Sequence, residues 1–277
     1  MRLRSLLFVP ADRPERFTKA AASGADALII DLEDSVALER KATGRAAVAE
    51  WLAGERSIRT FVRVNPLDGE LVGADLEAVM PAPPDGLVLP KAEGSASVEA
   101  LVALLNGVKI PIMPIATETP ASIFQLGSYS SVGQFLAGLT WGAEDLPAAI
   151  GASTSREDDG SYTAPYEMVR SLTLFGAHAA GTAAIETVFP RIDAIDSLKR
   201  YVARARRDGF TGMMAIHPSQ IETINAGFSP DEGEIAHARA VIEAFAANPD
   251  VGALNLAGKM VDRPHLVQAQ RIMDMIR

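Results

Sequence analysis

The chain has no cysteine, which excludes disulfides and thiolate metal sites and fits a cytoplasmic location. It has no apolar run of about 18 residues, so the sequence offers no transmembrane helix. The opening stretch carries two Arg and then a short apolar run, Leu6 to Ala11, with no small-residue cleavage site behind it. It reads as a first buried strand rather than a signal peptide. Basic residues are the minority: 26 Lys and Arg stand against 35 Asp and Glu, for a net charge of −9. That argues against a nucleic-acid partner, which selects a basic face. A small anionic substrate stays open, because a local Arg or Lys can outweigh the global charge.

What is present is core material. Hydrophobic residues make up 48% of 277, enough for one large barrel or two small domains. Short apolar runs alternate with helical patterns, which predicts a parallel sheet covered by helices. The runs fall at 3–9, 26–30, 59–64, 86–89, 112–116, 134–139, 183–189 and 213–216. Eight runs match a (β/α)8 TIM barrel. They end at Pro10, Asp31, Arg63, Lys91, Glu118, Asp145, Pro190 and His217. All but one of the intervals after Asp31 lie near the length of one strand-plus-helix repeat. The long one contains the polar stretch 151–165, a candidate lid or subunit contact. Helices are expected over 15–22, 36–52, 71–80, 97–105 and 120–126. The barrel takes residues 1–228. A C-terminal helical extension takes 229–277, with helices over 235–247 and 265–276 after the start signal Ser229-Pro230-Asp231-Glu232. Between those helices, 251–264 reads as a glycine-containing loop that presents Asp262.

In barrels of this kind the reactive groups gather where strands end. Glu118 and Asp145 close two successive runs, so parallel strands bring them side by side. Two carboxylates on one rim suit Mg²⁺, and Mn²⁺ accepts the same oxygen ligands. The plainer alternative is that each acid caps the helix after it. Arg63 lies among Phe61, Val62 and Val64, where an Arg needs a partner, and its fork fits a substrate carboxylate. Lys91 has the same reading, more weakly. Asp31, Glu33 and Asp34 put three acids in four residues, which calls for a cation nearby. One of them is expected to hold a metal-bound water or Arg63, rather than all three to ligate. A divalent ion beside a carboxylate-binding Arg is equipment for a 2-oxo or 2-hydroxy acid. Carbon–carbon cleavage needs a base as well. No Lys stands out as a Schiff-base former. His217 is one candidate, although His-Pro at a strand end is commonly structural; Asp262 is the other.

The motifs Arg4-Ser5-Leu6-Leu7-Phe8-Val9-Pro10, Asp31-Leu32-Glu33-Asp34-Ser35-Val36, Arg63-Val64-Asn65, Leu89-Pro90-Lys91, Glu118-Thr119, Gly142-Ala143-Glu144-Asp145-Leu146, Ala215-Ile216-His217-Pro218 and Met260-Val261-Asp262-Arg263-Pro264 run in order along nearly the whole chain. Together they resemble the citrate lyase β-subunit-like family, with malyl-CoA and citramalyl-CoA lyases as relatives. The resemblance implies that Glu118 and Asp145 ligate Mg²⁺ and that Arg63 and Glu118 contact substrate. It implies an acid/base role for Asp262 in a neighbouring subunit's site, and so a homo-oligomer, most often a trimer. CoA would lie across the rim, with Arg13 and Lys19 as candidates for its phosphates. A dedicated citrate lyase β subunit works with an acyl-carrier partner and tends to lack the C-terminal extension; this chain keeps it. The expected function is Mg²⁺-dependent cleavage of a carboxylated 3-hydroxyacyl-CoA, of malyl or citramalyl type, with Asp262, Arg63, Glu33 and Asp34 as catalytic residues and Lys91 also at the substrate. The alternatives are a thioesterase or synthase on the same site, and a citrate lyase β subunit acting on a carrier-bound citryl thioester.

Overall fold

A computed structural model describes residues 2–276. The chain divides into two compact units, residues 3–225 and the segment from Ala226 onward.

The first unit is built on seven parallel strands: β1 Ser5–Pro10, β2 Ala27–Asp31, β3 Arg59–Arg63, β4 Gly86–Leu89, β5 Ile112–Pro114, β6 Ile185–Glu186 and β7 Gly212–Ala215. Their order is β5-β4-β3-β2-β1-β7-β6. β2 is buried at every position, as a parallel strand with both faces covered must be. Side chains from successive strands meet in one cluster that includes Leu6, Ile29, Phe61, Val88, Met113 and Met214. Each such burial contributes about 1.5–3 kcal/mol. The register aligns Pro10 with Asp31 and Asp31 with Arg63, so one row crosses three strand ends.

The regular ladder does not close into the expected eight-stranded barrel; it is a curled half-barrel. The sixth apolar run, 134–139, is not a strand. Leu126–Phe135 winds as a 3-10 helix. Residues 136–140 then touch both sheet edges only through isolated parallel bridges, Ile112 to Leu136, Ile115 to Thr140 and Leu139 to Ala184. Crowding at Gly138 is one physical reason. A Cβ there would stand 3.2 Å from the Ala183 carbonyl oxygen and 3.3 Å from Met113 Cε. The seventh run contracts to the two residues of β6, and the helix expected over 120–126 contracts to Pro120–Ile123. Helices Ala164–Ala179 and Ile195–Asp208 lie before and after β6 in sequence.

The second unit holds helix Glu232–Ala247, strands β8 Ala253–Leu256 and β9 Lys259–Asp262, and helix Arg263–Asp274. The first helix begins on a capping box between Asp231 and Glu234. The stretch read as a loop is an antiparallel hairpin, with Leu256 paired to Lys259. Its two turn residues, Ala257 and Gly258, both have positive φ, the requirement of a type I′ turn. Val241, Phe245, Val261 and Ala269 form the unit's own core. Among the described residues, no helix is long and apolar enough to cross a membrane.

Candidate active site

The site lies where parallel strands end in the first unit. Asp31 and Arg63 are register partners on β2 and β3. Arg63 donates from Nε and Nη2 to the two Asp31 carboxylate oxygens, at 2.6 Å each. Its Nη1 stands 2.7 Å from Glu33 Oε2, and its guanidinium lies over the Phe8 ring at 5.0 Å. Burial pushes the Asp31 carboxyl up, but the hydrogen bonds and charge of Arg63 outweigh burial and hold it below the usual range. Burial also opposes the Arg63 charge, and the same carboxylates more than offset it.

Behind Arg63, Glu33 Oε1 accepts from Lys91 Nζ at 2.7 Å. The same ammonium stands 3.8 Å from Asp34 and 3.7 Å from Asp145. The backbone of Lys91 has φ +50°, a left-handed conformation that costs a non-glycine residue. There its amide donates to Glu118 Oε2 at 2.5 Å. Glu118 is 4% exposed. Burial, with the Asp145 and Glu33 carboxylates beside it, pushes its carboxyl up to about 8 against the pull of the Lys91 amide.

Glu118 and Asp145 do not cap the helices after them. Thr119 caps Pro120–Ile123, accepting from the Ser122 amide. Asp145 makes no side-chain cap to Leu146–Ile150. Both carboxylates face one cavity of about 360 Å³, which Asp31, Asp34 and Arg63 also line. Gly142 completes the wall. Its amide donates to the Thr117 hydroxyl at 3.1 Å, and that hydroxyl donates back to its carbonyl at 3.2 Å. A Cβ at Gly142 would stand 2.8 Å from Glu118 Cγ, so only glycine leaves the carboxylate its place.

With this geometry in hand, comparison with known proteins is specific. Residues 4–218 match the HpcH/HpaI aldolase/citrate lyase family. The chain belongs to that family. It is therefore an enzyme of the oxo-acid lyase class. A citrate lyase subunit beta-like protein of Mycobacterium tuberculosis is 36% identical over 96% of this chain and 93% of its own length. A (3S)-malyl-CoA thioesterase of Cereibacter sphaeroides is 33% identical over 97% of this chain and 92% of its own. The crystal structure of CitE from M. tuberculosis, in complex with magnesium, acetoacetate and coenzyme A, superposes with a TM-score of 0.84. It is 34% identical and covers 99% of this chain and 98% of that one.

Against this family background, the donor set of this chain can be tested for a metal. Among the described residues no group of three or more His, Cys, Asp or Glu is poised around one point. Two carboxylates, Glu118 and Asp145, line one cavity, and Mg²⁺ commonly takes only one or two from the protein, with water and substrate supplying the rest. The Asp145 carboxylate raises the cost of ionising the buried Glu118, which a divalent cation relieves. The residues fit the ion.

Of the other sequence candidates, Glu33 and Lys91 pair with each other and are not among the residues lining the cavity. Arg13 is half exposed and 3.9 Å from Asp12; Lys19 is exposed on helix Phe17–Ala21. His217 Nδ1 lies 2.8 Å from the Ser219 hydroxyl and caps the turn Pro218–Gln220, the structural role common to His-Pro. Asp262 belongs to the second unit, at the start of helix Arg263–Asp274, with His265 Nδ1 2.5 Å from its Oδ1. The His265 hydrogen bond lowers its carboxyl below the ordinary value.

Sequence reasoning missed two supports. One is Gly142 as the residue that makes room for Glu118; its place in the Gly-Ala-Glu-Asp motif was the available signal. The other is Lys41, 7% exposed, whose ammonium donates to the carbonyls of Leu32 and Glu33 at 2.6 and 2.8 Å and to Asn65 Oδ1 at 2.8 Å. It pins the turns that carry Glu33 and Arg63 to each other. Nothing local in an Ala-rich helix marks such a lysine.

Proposed function

We propose that this enzyme is a Mg²⁺-dependent lyase for a 3-hydroxyacyl-CoA bearing a carboxylate, of the malyl-CoA or citramalyl-CoA type. The products are a 2-oxo acid and an acyl-CoA. The observation that carries the reading is the meeting of Glu118, Asp145 and Arg63 on one cavity. The magnesium, acetoacetate and coenzyme A bound by the M. tuberculosis protein support it.

In this reading Glu118 and Asp145 hold Mg²⁺, or Mn²⁺ in its place. The ion, when bound, supplies Lewis acidity at the oxygens of the oxo-acid half. Arg63, fixed by Asp31, takes the substrate carboxylate; Glu33, Asp34 and Lys91 keep the surrounding charge balanced. Arg13 and Lys19 serve the CoA phosphates. Asp262 takes the proton of the 3-hydroxyl. The bond between C2 and C3 breaks, C3 becomes the ketone or aldehyde carbon, and its electron pair leaves as the thioester enolate. A proton then adds to C2 and gives the acyl-CoA. A carboxyl lowered by His265 is ionised at neutral pH and ready to accept a proton. Residues 229–277 act as a lid that delivers Asp262 to the site of a neighbouring subunit in a homo-oligomer, a trimer by resemblance. The protein works in the cytoplasm.

The test is an assay with malyl-CoA and with citramalyl-CoA, in Mg²⁺ and in EDTA. Metal-dependent release of glyoxylate or pyruvate with acetyl-CoA supports the proposal. A second reading, hydrolysis of the thioester, is favoured by the 33% identical malyl-CoA thioesterase. Free CoA released with an intact hydroxy acid would establish it. Activity only on a carrier-bound citryl thioester would mark a citrate lyase β subunit.

A further inference from the structure

The cavity wall formed by residues 142–145 is held from behind, through Trp141, by a buried polar clamp. Trp141 and Glu186 are both fully buried. The indole Nε1 donates to Glu186 Oε1 at 2.6 Å. Glu186 ends β6; its Oε1 also accepts from the Thr187 amide at 2.9 Å, and its Oε2 from Arg170 Nε at 2.7 Å. Arg170 reaches on to Asp208 at 2.7 Å. The Tyr162 ring meets the indole edge-on at 5.0 Å.

The clamp sits where the ladder is weakest. Among the described residues, the backbones on either side share only the bonds of Leu139 with Ala183 and Ile185. From Thr140 to Asp145 no backbone bond ties this wall to β6. The indole supplies the missing tie. On one side of it stand Gly142 and Asp145; on the other, Thr187 and Val188, which line the same cavity. Gly142 is a close neighbour of Glu118, since a Cβ on it would stand 2.8 Å from Glu118 Cγ. A buried carboxylate is a costly way to fill space, since apolar residues of like volume often do as well or better. What it adds is direction.

We infer that the Trp141–Glu186 hydrogen bond is a positioning device for the metal-binding wall, holding Gly142 and Asp145 in register with Glu118. This rests on the reading of Glu118 and Asp145 as the Mg²⁺ ligands. Groups that orient metal ligands typically change affinity about 10- to 100-fold when altered.

The test is calorimetric titration of the full-length protein with Mg²⁺ alone, beside urea unfolding. Three variants are compared with wild type. Trp141→Phe keeps a ring and loses the N–H. Glu186→Asp keeps the charge facing Arg170 and draws the acceptor back from the indole. Trp51→Phe is the control: its indole donates to the Thr60 hydroxyl at 3.1 Å, near the N-terminal end of β3, so it removes an indole bond at the opposite end of the strands from the site. The expected result is Mg²⁺ affinity weakened about 10-fold or more in the first two and unchanged in the third. Wild-type affinity in Trp141→Phe and Glu186→Asp, or an equal loss in Trp51→Phe, overturns the inference while leaving the metal reading intact. No Mg²⁺ binding by wild type overturns the metal reading and the inference with it. If Trp141→Phe does not fold, Glu186→Asp decides alone.

Discussion

Arg63 and Asp31 are adjacent in the β2–β3 register and joined by two hydrogen bonds of 2.6 Å. The pairing turns a flexible guanidinium into a fixed fork, because both contacts come from strand ends and Phe8 covers one face. A lysine cannot reproduce it. Arg63→Lys should lower kcat/KM for a carboxylated substrate about 10- to 100-fold, the loss of one charge-assisted hydrogen bond. A truncated acyl-CoA without the carboxylate should lose nothing further. Steady-state kinetics on both substrates check it.

Asp31→Ala tests the same pair from the other side. It leaves a nearly buried guanidinium with Glu33 as its remaining close partner. Breaking one partner of a buried ion pair costs about 3–5 kcal/mol, because the other charge stays desolvated. Urea unfolding should show that loss, with the midpoint moved and the slope kept.

Glu118 gives the pH dependence. Its carboxyl is raised from an ordinary 4.5 to about 8 in the folded chain without metal. The unfolded chain therefore ionises this group first. Its contribution to stability is fully present below about 4.5 and is lost as pH rises through 8. Mg²⁺ should reverse the trend, since the ion requires the carboxylate. Mg²⁺ binding below pH 8 should release a proton, and affinity should climb with pH and level off above that value. Titrations in buffers of different ionisation enthalpy count the proton; flat affinity from pH 6 to 9 would contradict the assignment.

Gly142→Ala puts a methyl 2.8 Å from Glu118 Cγ and 3.3 Å from Ile115 Cγ2. The buried Glu118 side chain has little room to yield. The variant should fold with a loss of about 1–3 kcal/mol from overpacking, and its Mg²⁺ affinity should fall about 10-fold or more. Calorimetry and thermal unfolding separate the two effects.

These residues show what the sequence could disclose. The acids and Arg63 were legible because each ends an apolar run, and a parallel sheet sends all run ends to one rim. The pairing of Arg63 with one acid of the Asp-Leu-Glu-Asp turn was legible as well, from charge alone. Closure was not. An apolar run such as 134–139 signals burial, but whether its backbone pairs regularly depends on how closely neighbours press, and Gly138 and Gly133 carry no local sign of that. The hairpin β8–β9 was hidden for a different reason. Its turn places Ala257 where Asn or Asp usually supplies positive φ, so the common hairpin signal is missing. Supports such as Lys41 and Glu186 escaped because the side-chain partner that defines each, Asn65 for Lys41 and Trp141 for Glu186, is 24 and 45 residues away in sequence.

The role proposed for Asp262 makes the sharpest demand on the assembly. If each site draws Glu118 from one chain and Asp262 from its neighbour, Asp262→Asn and Glu118→Gln should each be inactive alone. Mixed by unfolding and refolding together, they should complement. With equal amounts and random assembly, a site is intact when its own chain carries Glu118 and its neighbour carries Asp262. Each condition holds half the time, so roughly a quarter of wild-type turnover per site should return in a closed cyclic oligomer. If Asp262 acts within its own chain, every site keeps one lesion and the mixture stays dead. The same experiment on a monomer returns nothing in either case, so sedimentation must first show that the chain associates.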